Sequence, residues 1–167
     1  MKAIFLISPL MFVTAVTCSF AQDTGSPAEG KVLFVSDKTD KPAAFFMDAF
    51  TEELTDAGYD FTGTAVDAAS RVDLDAYTDV LVYSQVMAFN NLSPVSAWVK
   101  AQKSLQGKRL FLFVTANRWF FGSRLAKLKM LVKARGGDVV DAVTMATNRM
   151  SAEQKRAAVD KLVDRIR

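Results

Sequence analysis

The chain has 167 residues, half of them hydrophobic, with 21 basic and 18 acidic side chains and no histidine. The missing histidine excludes Ser-His-Asp and Cys-His catalysis, histidine metal sites and imidazole acid–base work. The single cysteine, Cys18, lies in the opening segment, so the remainder has no disulfide and no thiol chemistry.

Met1-Lys2 is a short basic start, Ala3 to Val16 is almost wholly apolar, and Ser19-Phe20-Ala21 puts small residues where a signal peptidase reads. Residues 1–21 are therefore expected to be a signal peptide cleaved after Ala21, and the protein to be periplasmic or secreted. The apolar run is short for a bilayer span. Cys18 raises a lipoprotein alternative, for which Ala15-Val16-Thr17-Cys18 is a poor lipobox. Residues 22–30, with Gly25, Ser26 and Pro27, read as a polar tether. Residues 31–167 are long enough for one core and read as one domain.

In that domain Val32 to Val35 is a short apolar run that predicts a buried strand. A polar loop follows, then Pro42, which is tolerated in the first turn of a helix. Phe46, Ala49, Phe50, Leu54 and Ala57 recur at three- and four-residue spacing, predicting a helix over 43–57 stopped by Gly58. Tyr59 to Ala65 is a more polar strand that suits a sheet edge, and Val66 to Ala76 a loop or short helix. Val80 to Ser84 is the third strand. Ser93 and Pro94 open a helix with Val95, Trp98, Val99 and Leu105 inward. Arg109 to Thr115, apolar on both faces, is a central strand. Ser123 is expected to cap a helix to Arg135, with Leu125, Leu128, Leu131 and Val132 inward and Arg124, Lys127 and Lys133 outward. Asp138 to Met145 is a fifth strand. Ser151 with Gln154 forms a capping box for a last helix that has Ala158, Val159, Leu162 and Ile166 as its apolar positions. Strands alternating with helices predict an α/β fold with a doubly wound parallel sheet.

Charge is unevenly spread. Residues 31–79 hold four basic and eleven acidic side chains; residues 80–137 hold ten basic and no acidic ones. Two readings stand side by side: two solvated faces of opposite sign, or a basic half that meets a phosphate ligand, an acidic partner or a lipid surface.

In open α/β sheets ligands bind beyond the carboxyl ends of the strands, where strand order reverses. Three loops meet there: Ser36–Lys41, Gln85–Asn91 and Thr115–Gly122. With these loops the chain resembles the flavodoxin-like family, over Lys31 to Arg167. The resemblance rests on the strand-loop-helix at Lys31–Ala57, on Tyr77-Thr78-Asp79-Val80-Leu81-Val82-Tyr83-Ser84, on Leu105-Gln106-Gly107-Lys108 leading into Arg109–Phe113, and on Gly136-Gly137-Asp138-Val139-Val140. It implies a three-layer sandwich with a five-stranded parallel sheet in the order 2-1-3-4-5. It also implies flavin mononucleotide (FMN) as ligand and electron transfer as activity.

The family's phosphate loop runs Ser-x-Lys-Thr-Gly-Asn-Thr, and Ser36, Lys38 and Thr39 match it. Asp40, Lys41 and Pro42 depart from its last three positions. Aspartate brings a like charge to the phosphate and proline removes an amide donor; Lys38 and Lys41 compensate in part as point charges. For the ring, Phe89 and Trp119 are the expected flanking side chains and Asn90 and Asn117 the hydrogen-bond partners. Together with Thr115 at the head of the third loop, these complete the expected flavin set. Trp119-Phe120-Phe121 also fits a cover folded back on the core, or, with the basic helix after it, a lipid-surface contact.

There is no Gly-x-Gly-x-x-Gly, no Gly-Lys-Ser/Thr P-loop, no Gly-x-Ser-x-Gly elbow and no aspartate at the end of the third strand. No catalytic residue, metal site or nucleic-acid partner is expected. Two functions stay open: an FMN-binding electron-transfer module, or a non-enzymatic module that has lost the flavin and docks an acidic protein or anionic surface through its basic half.

Overall fold

Residues 30–86, 93–118 and 122–167 are described by a computed structural model. β1 (Lys31–Ser36) leads into α1 (Lys41–Asp56), and β2 (Asp60–Ala65) follows. A four-residue α2 (Val66–Ala69) and a single 3-10 turn (Leu74–Ala76) connect to β3 (Asp79–Val86). Then come α3 (Pro94–Ala101), β4 (Arg109–Ala116), α4 (Gly122–Ala134), β5 (Asp138–Ala146) and α5 (Ala152–Ile166). The five strands form one sheet in the order β2-β1-β3-β4-β5, and every neighbouring pair is parallel. This is the α/β three-layer order that the resemblance implies.

Residues alternate between the two faces of each strand, and each face has its own core. On one side Phe34, Tyr83, Phe111 and Phe113 meet α1 and α5 through Phe46, Phe50, Leu54, Val159, Leu162 and Ile166. This layer is aromatic: the Phe46 and Phe113 rings meet edge to face at 4.9 Å, and Tyr83 stacks on Phe34 at 5.8 Å. On the other side Leu33, Val80, Val82, Leu110, Leu112 and Val114 meet α3 and α4 through Val95, Trp98, Val99, Leu128 and Val132. That layer is mostly aliphatic. β1, β3 and β4, covered on both faces, are the long apolar runs of the sequence. β2 and β5 are the edges and are only partly buried.

Local signals set the helix ends. Ser93 accepts from the Ser96 amide to cap α3, and Ser151 and Gln154 form the expected capping box on α5. α1 begins earlier than the hydrophobic stripe predicts, because Asp40 caps it and Pro42 sits in its first turn. α4 departs from expectation at its start. Ser123 is already helical, and Arg124, predicted outward, is buried at 7% exposure. Arg124 stands four residues before Leu128 and eight before Val132, so it shares the buried face of α4; its charge, not its position, suggests solvent. Leu105 lies past the end of α3 yet is fully buried, its amide donating to the Arg135 carbonyl at 2.7 Å. Among the described residues no helix is long and apolar enough to cross a membrane.

Candidate functional site

The C-terminal ends of β1, β3 and β4 lie side by side, with Ser36 opposite Tyr83 and Gln85 opposite Thr115. Strand order reverses between β1 and β3, so this edge holds the crevice that α/β sheets use for ligands.

The crevice is organised by Asp37, the first residue after β1. Its Oδ2 accepts from Ser84 Oγ at 2.8 Å and from the Gln85 amide at 3.0 Å. Its Oδ1 accepts from Ser93 Oγ at 3.1 Å and from the Val95 amide at 2.9 Å. One carboxylate thus ties the first loop to the end of β3 and to the N-terminus of α3. A carboxylate is favoured at a helix start because free amides and the helix dipole converge there. Ser84 and Ser93 are buried and lie 3.2 Å apart through their hydroxyls, and Arg124 Nη1 reaches Ser84 Oγ at 3.5 Å. A buried guanidinium thus stands beside this network.

Other side chains of the first loop also pair within the chain. Asp40 accepts from the Ala43 amide at 3.2 Å and pairs with Lys38 at 3.0 Å. Ser36 Oγ donates to the Lys38 carbonyl at 3.1 Å and is almost fully buried. Deeper in, the Tyr83 hydroxyl and Thr115 Oγ1 lie 2.9 Å apart. Burial pushes the Tyr83 phenol well above its ordinary value, with Asp40 and Asp37 adding to the rise and the Thr115 bond opposing it. On the same edge the Gln85 side-chain oxygen is buried with no hydrogen-bond partner among the described residues. β5 closes the far side: the Asn148 amide donates to the Asn117 carbonyl at 3.0 Å, and Thr147 Oγ1 to the Ala116 carbonyl at 3.0 Å.

Of the residues singled out in the sequence, Ser36, Lys38 and Thr39 share the first loop, and Thr115 and Asn117 stand two strands away at the end of β4. Ser36 and Thr115 are buried; Lys38, Thr39 and Asn117 are exposed. Phe89, Asn90 and Trp119 lie outside the described residues. Asp37, Ser84, Ser93 and Arg124 are the site residues that sequence reasoning missed. Ser93 carried a signal as a helix cap, and Arg124 one through its place on the face of Leu128 and Val132; Asp37 and Ser84 acquire their role from contacts 47 to 58 residues apart in sequence.

No sequence-family model matches the chain, and no curated protein matches it. Solved structures do. A flavodoxin of Streptococcus pneumoniae TIGR4 superposes with a TM-score of 0.62 at 12% identity, over 81% of this chain and 95% of that one. Oxidised flavodoxin 2 of Bacillus cereus gives 0.62 at 14% identity, over 80% and 98%. The fold is that of the flavodoxins. A Fusobacterium nucleatum flavodoxin bound to FMN superposes with a TM-score of 0.59 at 13% identity, over 81% of this chain and 95% of that chain. These superpositions cover nearly the whole of those proteins and about four fifths of this chain.

Proposed function

We propose that this chain is an exported flavodoxin-fold module that takes a flavin at the C-terminal edge of its sheet and serves electron transfer. The observation that carries the reading is the convergence of the β1, β3 and β4 ends at one crevice, in the strand order of proteins one of which is bound to FMN. The orphaned acceptor of Gln85 supports it, because a buried oxygen at a strand end is placed to take a ligand N–H. Thr115 and Asn117 stand beside it, and Phe89, Asn90 and Trp119 are the residues proposed to hold the ring. Electron transfer is the chemistry that a bound flavin supplies; the chain's own residues bind, orient and exclude water.

The fit of FMN to the residues present divides between its two ends. At the ring end the free acceptor and the polar loop residues fit. At the phosphate end they do not: the amide of Ala43 already holds the Asp40 carboxylate, and Pro42 offers no N–H. No residue is therefore assigned to the phosphate.

A second reading draws on that closed end. Asp37 and Asp40 occupy the starts of α3 and α1, so both helix starts at the crevice are held by the chain itself. In this reading the flavin is lost and the module docks an acidic protein or anionic surface through the face of α3 and α4. Exposed Lys100, Lys127, Lys129 and Lys133 line those helices, and residues 93–137 contain no acidic side chain.

Export rests on Met1-Lys2, the apolar run after it and Ser19-Phe20-Ala21. It is checked by the N-terminal residue of protein recovered from the envelope or medium, which is Gln22 after the proposed cleavage. Flavin binding is checked by the colour of the purified mature chain and by titration of flavin fluorescence. A bound flavin is quenched, and Trp119→Ala weakens binding with the fold intact. A colourless protein that quenches no flavin at high micromolar concentration removes the first reading. Salt-sensitive binding to an acidic protein that weakens in Lys127→Glu supports the second.

A further inference from the structure

Resting on the flavin reading, we propose that this crevice selects a flavin without a terminal phosphate, such as riboflavin, over FMN. The argument begins with what a phosphate requires. A phosphate monoester carries about −1.5 to −2 charges near neutral pH. In an α/β protein it is held by unoccupied amides at the start of the helix after the first strand, where the helix dipole favours an anion.

Here that place is already filled. The Asp40 carboxylate accepts from the Ala43 amide at 3.2 Å, and the Asp40 carbonyl accepts from the Ala44 amide at 2.8 Å. Pro42 has no N–H, which leaves the Lys41 amide of the first turn. Of the loop's two cations, Lys38 is engaged by Asp40 at 3.0 Å and Lys41 is exposed. The Ser36 hydroxyl donates inward, to the Lys38 carbonyl, and is almost fully buried. The second helix start at the crevice, that of α3, is held by Asp37 through the Val95 amide at 2.9 Å. Two internal carboxylates thus stand where an external anion would be received. A phosphate there meets like charge from both.

The same arrangement suits a neutral polyol. Carboxylate oxygens accept from hydroxyls, and the Asp40 side chain is about a quarter exposed at the mouth of the loop, 27%. The ribityl chain of riboflavin carries hydroxyl donors and no charge. The ring end is the same for both flavins, so discrimination falls wholly on the tail.

The test titrates the mature wild-type chain at low salt with riboflavin and with FMN, reading quenching of flavin fluorescence. The expected result is tighter binding of riboflavin by on the order of tenfold or more, from one repelled dianion near two carboxylates. Asparagine caps a helix as well as aspartate does, so Asp40→Asn removes the charge and keeps the cap. In Asp40→Asn FMN affinity rises relative to that of riboflavin, so the ratio of the two affinities falls. A wild-type chain that binds FMN as tightly as riboflavin, or more tightly, overturns the inference and leaves the flavin reading standing. A chain that quenches neither flavin overturns both. The wild-type comparison decides the question even if Asp40→Asn does not fold.

Discussion

Removing the Asp37 carboxylate tests the description of the crevice directly. Asp37→Ala deletes four hydrogen bonds at 2.8 to 3.1 Å, two from serine hydroxyls and two from backbone amides. A hydrogen bond to a charged acceptor contributes about 1.5–3 kcal/mol net. The four are not additive, since Ser84 and Ser93 keep each other and Asp37 is half-buried, so water replaces part of what is lost. The expected loss is about 3–4 kcal/mol. Against a total stability of about 5–15 kcal/mol that is a large share. Asp37→Asn keeps one acceptor oxygen but turns an NH2 toward donors, and loses about 2 kcal/mol. Urea unfolding followed by circular dichroism gives these differences, and amide hydrogen exchange locates them, with the Gln85 and Val95 amides losing protection first. An Asp37→Ala chain within about 1 kcal/mol of wild type, less than a single charged hydrogen bond, with the Val95 amide still protected, would refute the assignment of Asp37 as the tie between β1, β3 and α3.

Other perturbations read the core and its ionisation. Gly137→Ala places a Cβ 2.7 Å from Leu110 Cδ1 and 2.9 Å from Val132 Cγ1, inside a packed layer; the expected cost is about 2 kcal/mol in urea unfolding. Gly63→Ala meets the flexible Met47 side chain, 2.5 Å from Sδ and 2.7 Å from Cγ, on an edge strand where it has room to move, and costs less, about 1 kcal/mol. Phe46→Ala opens the aromatic layer between Tyr83 and Phe113 and costs about 3–5 kcal/mol. The Tyr83 phenol is raised in the folded chain from an ordinary value of 10.0, so the folded state holds its proton longer than the unfolded one. Its contribution is intact below pH 10 and is lost as pH climbs toward the folded value. Stability measured by urea unfolding therefore falls above pH 10, and Tyr83→Phe flattens that fall.

Much of this architecture is legible in local residue pattern. The apolar runs at Val32–Val35, Val80–Ser84 and Arg109–Thr115 are continuous because those strands are covered on both faces. The more polar Tyr59–Ala65 run is an edge, as its composition suggests. Ser93 with Pro94 and Ser151 with Gln154 mark helix starts through bonds that span three residues, so a short window of sequence contains them. Asp40 belongs to this class too. Its place two residues before Pro42 is a capping signal, and the cap is what closes the first loop to an anion.

The crevice was decided elsewhere. Asp37 is one polar residue in a polar loop until folding carries it to Ser84, Ser93 and Val95, and nothing in its neighbours distinguishes it from Lys38 or Thr39. Arg124 lies on the buried stripe of α4 with Leu128 and Val132, but its charge argues for solvent; only the placement of that helix start above the strand ends gives it Ser84 as a neighbour. The sequence by itself determined which segments are strands and helices and, through right-handed crossovers, the kind of sheet they form, because those rest on periodicity and short-range bonds. Which carboxylate fills the crevice, and which helix start it holds, depended on contacts between segments far apart in the chain, and those exist only once the sheet has brought the strand ends together.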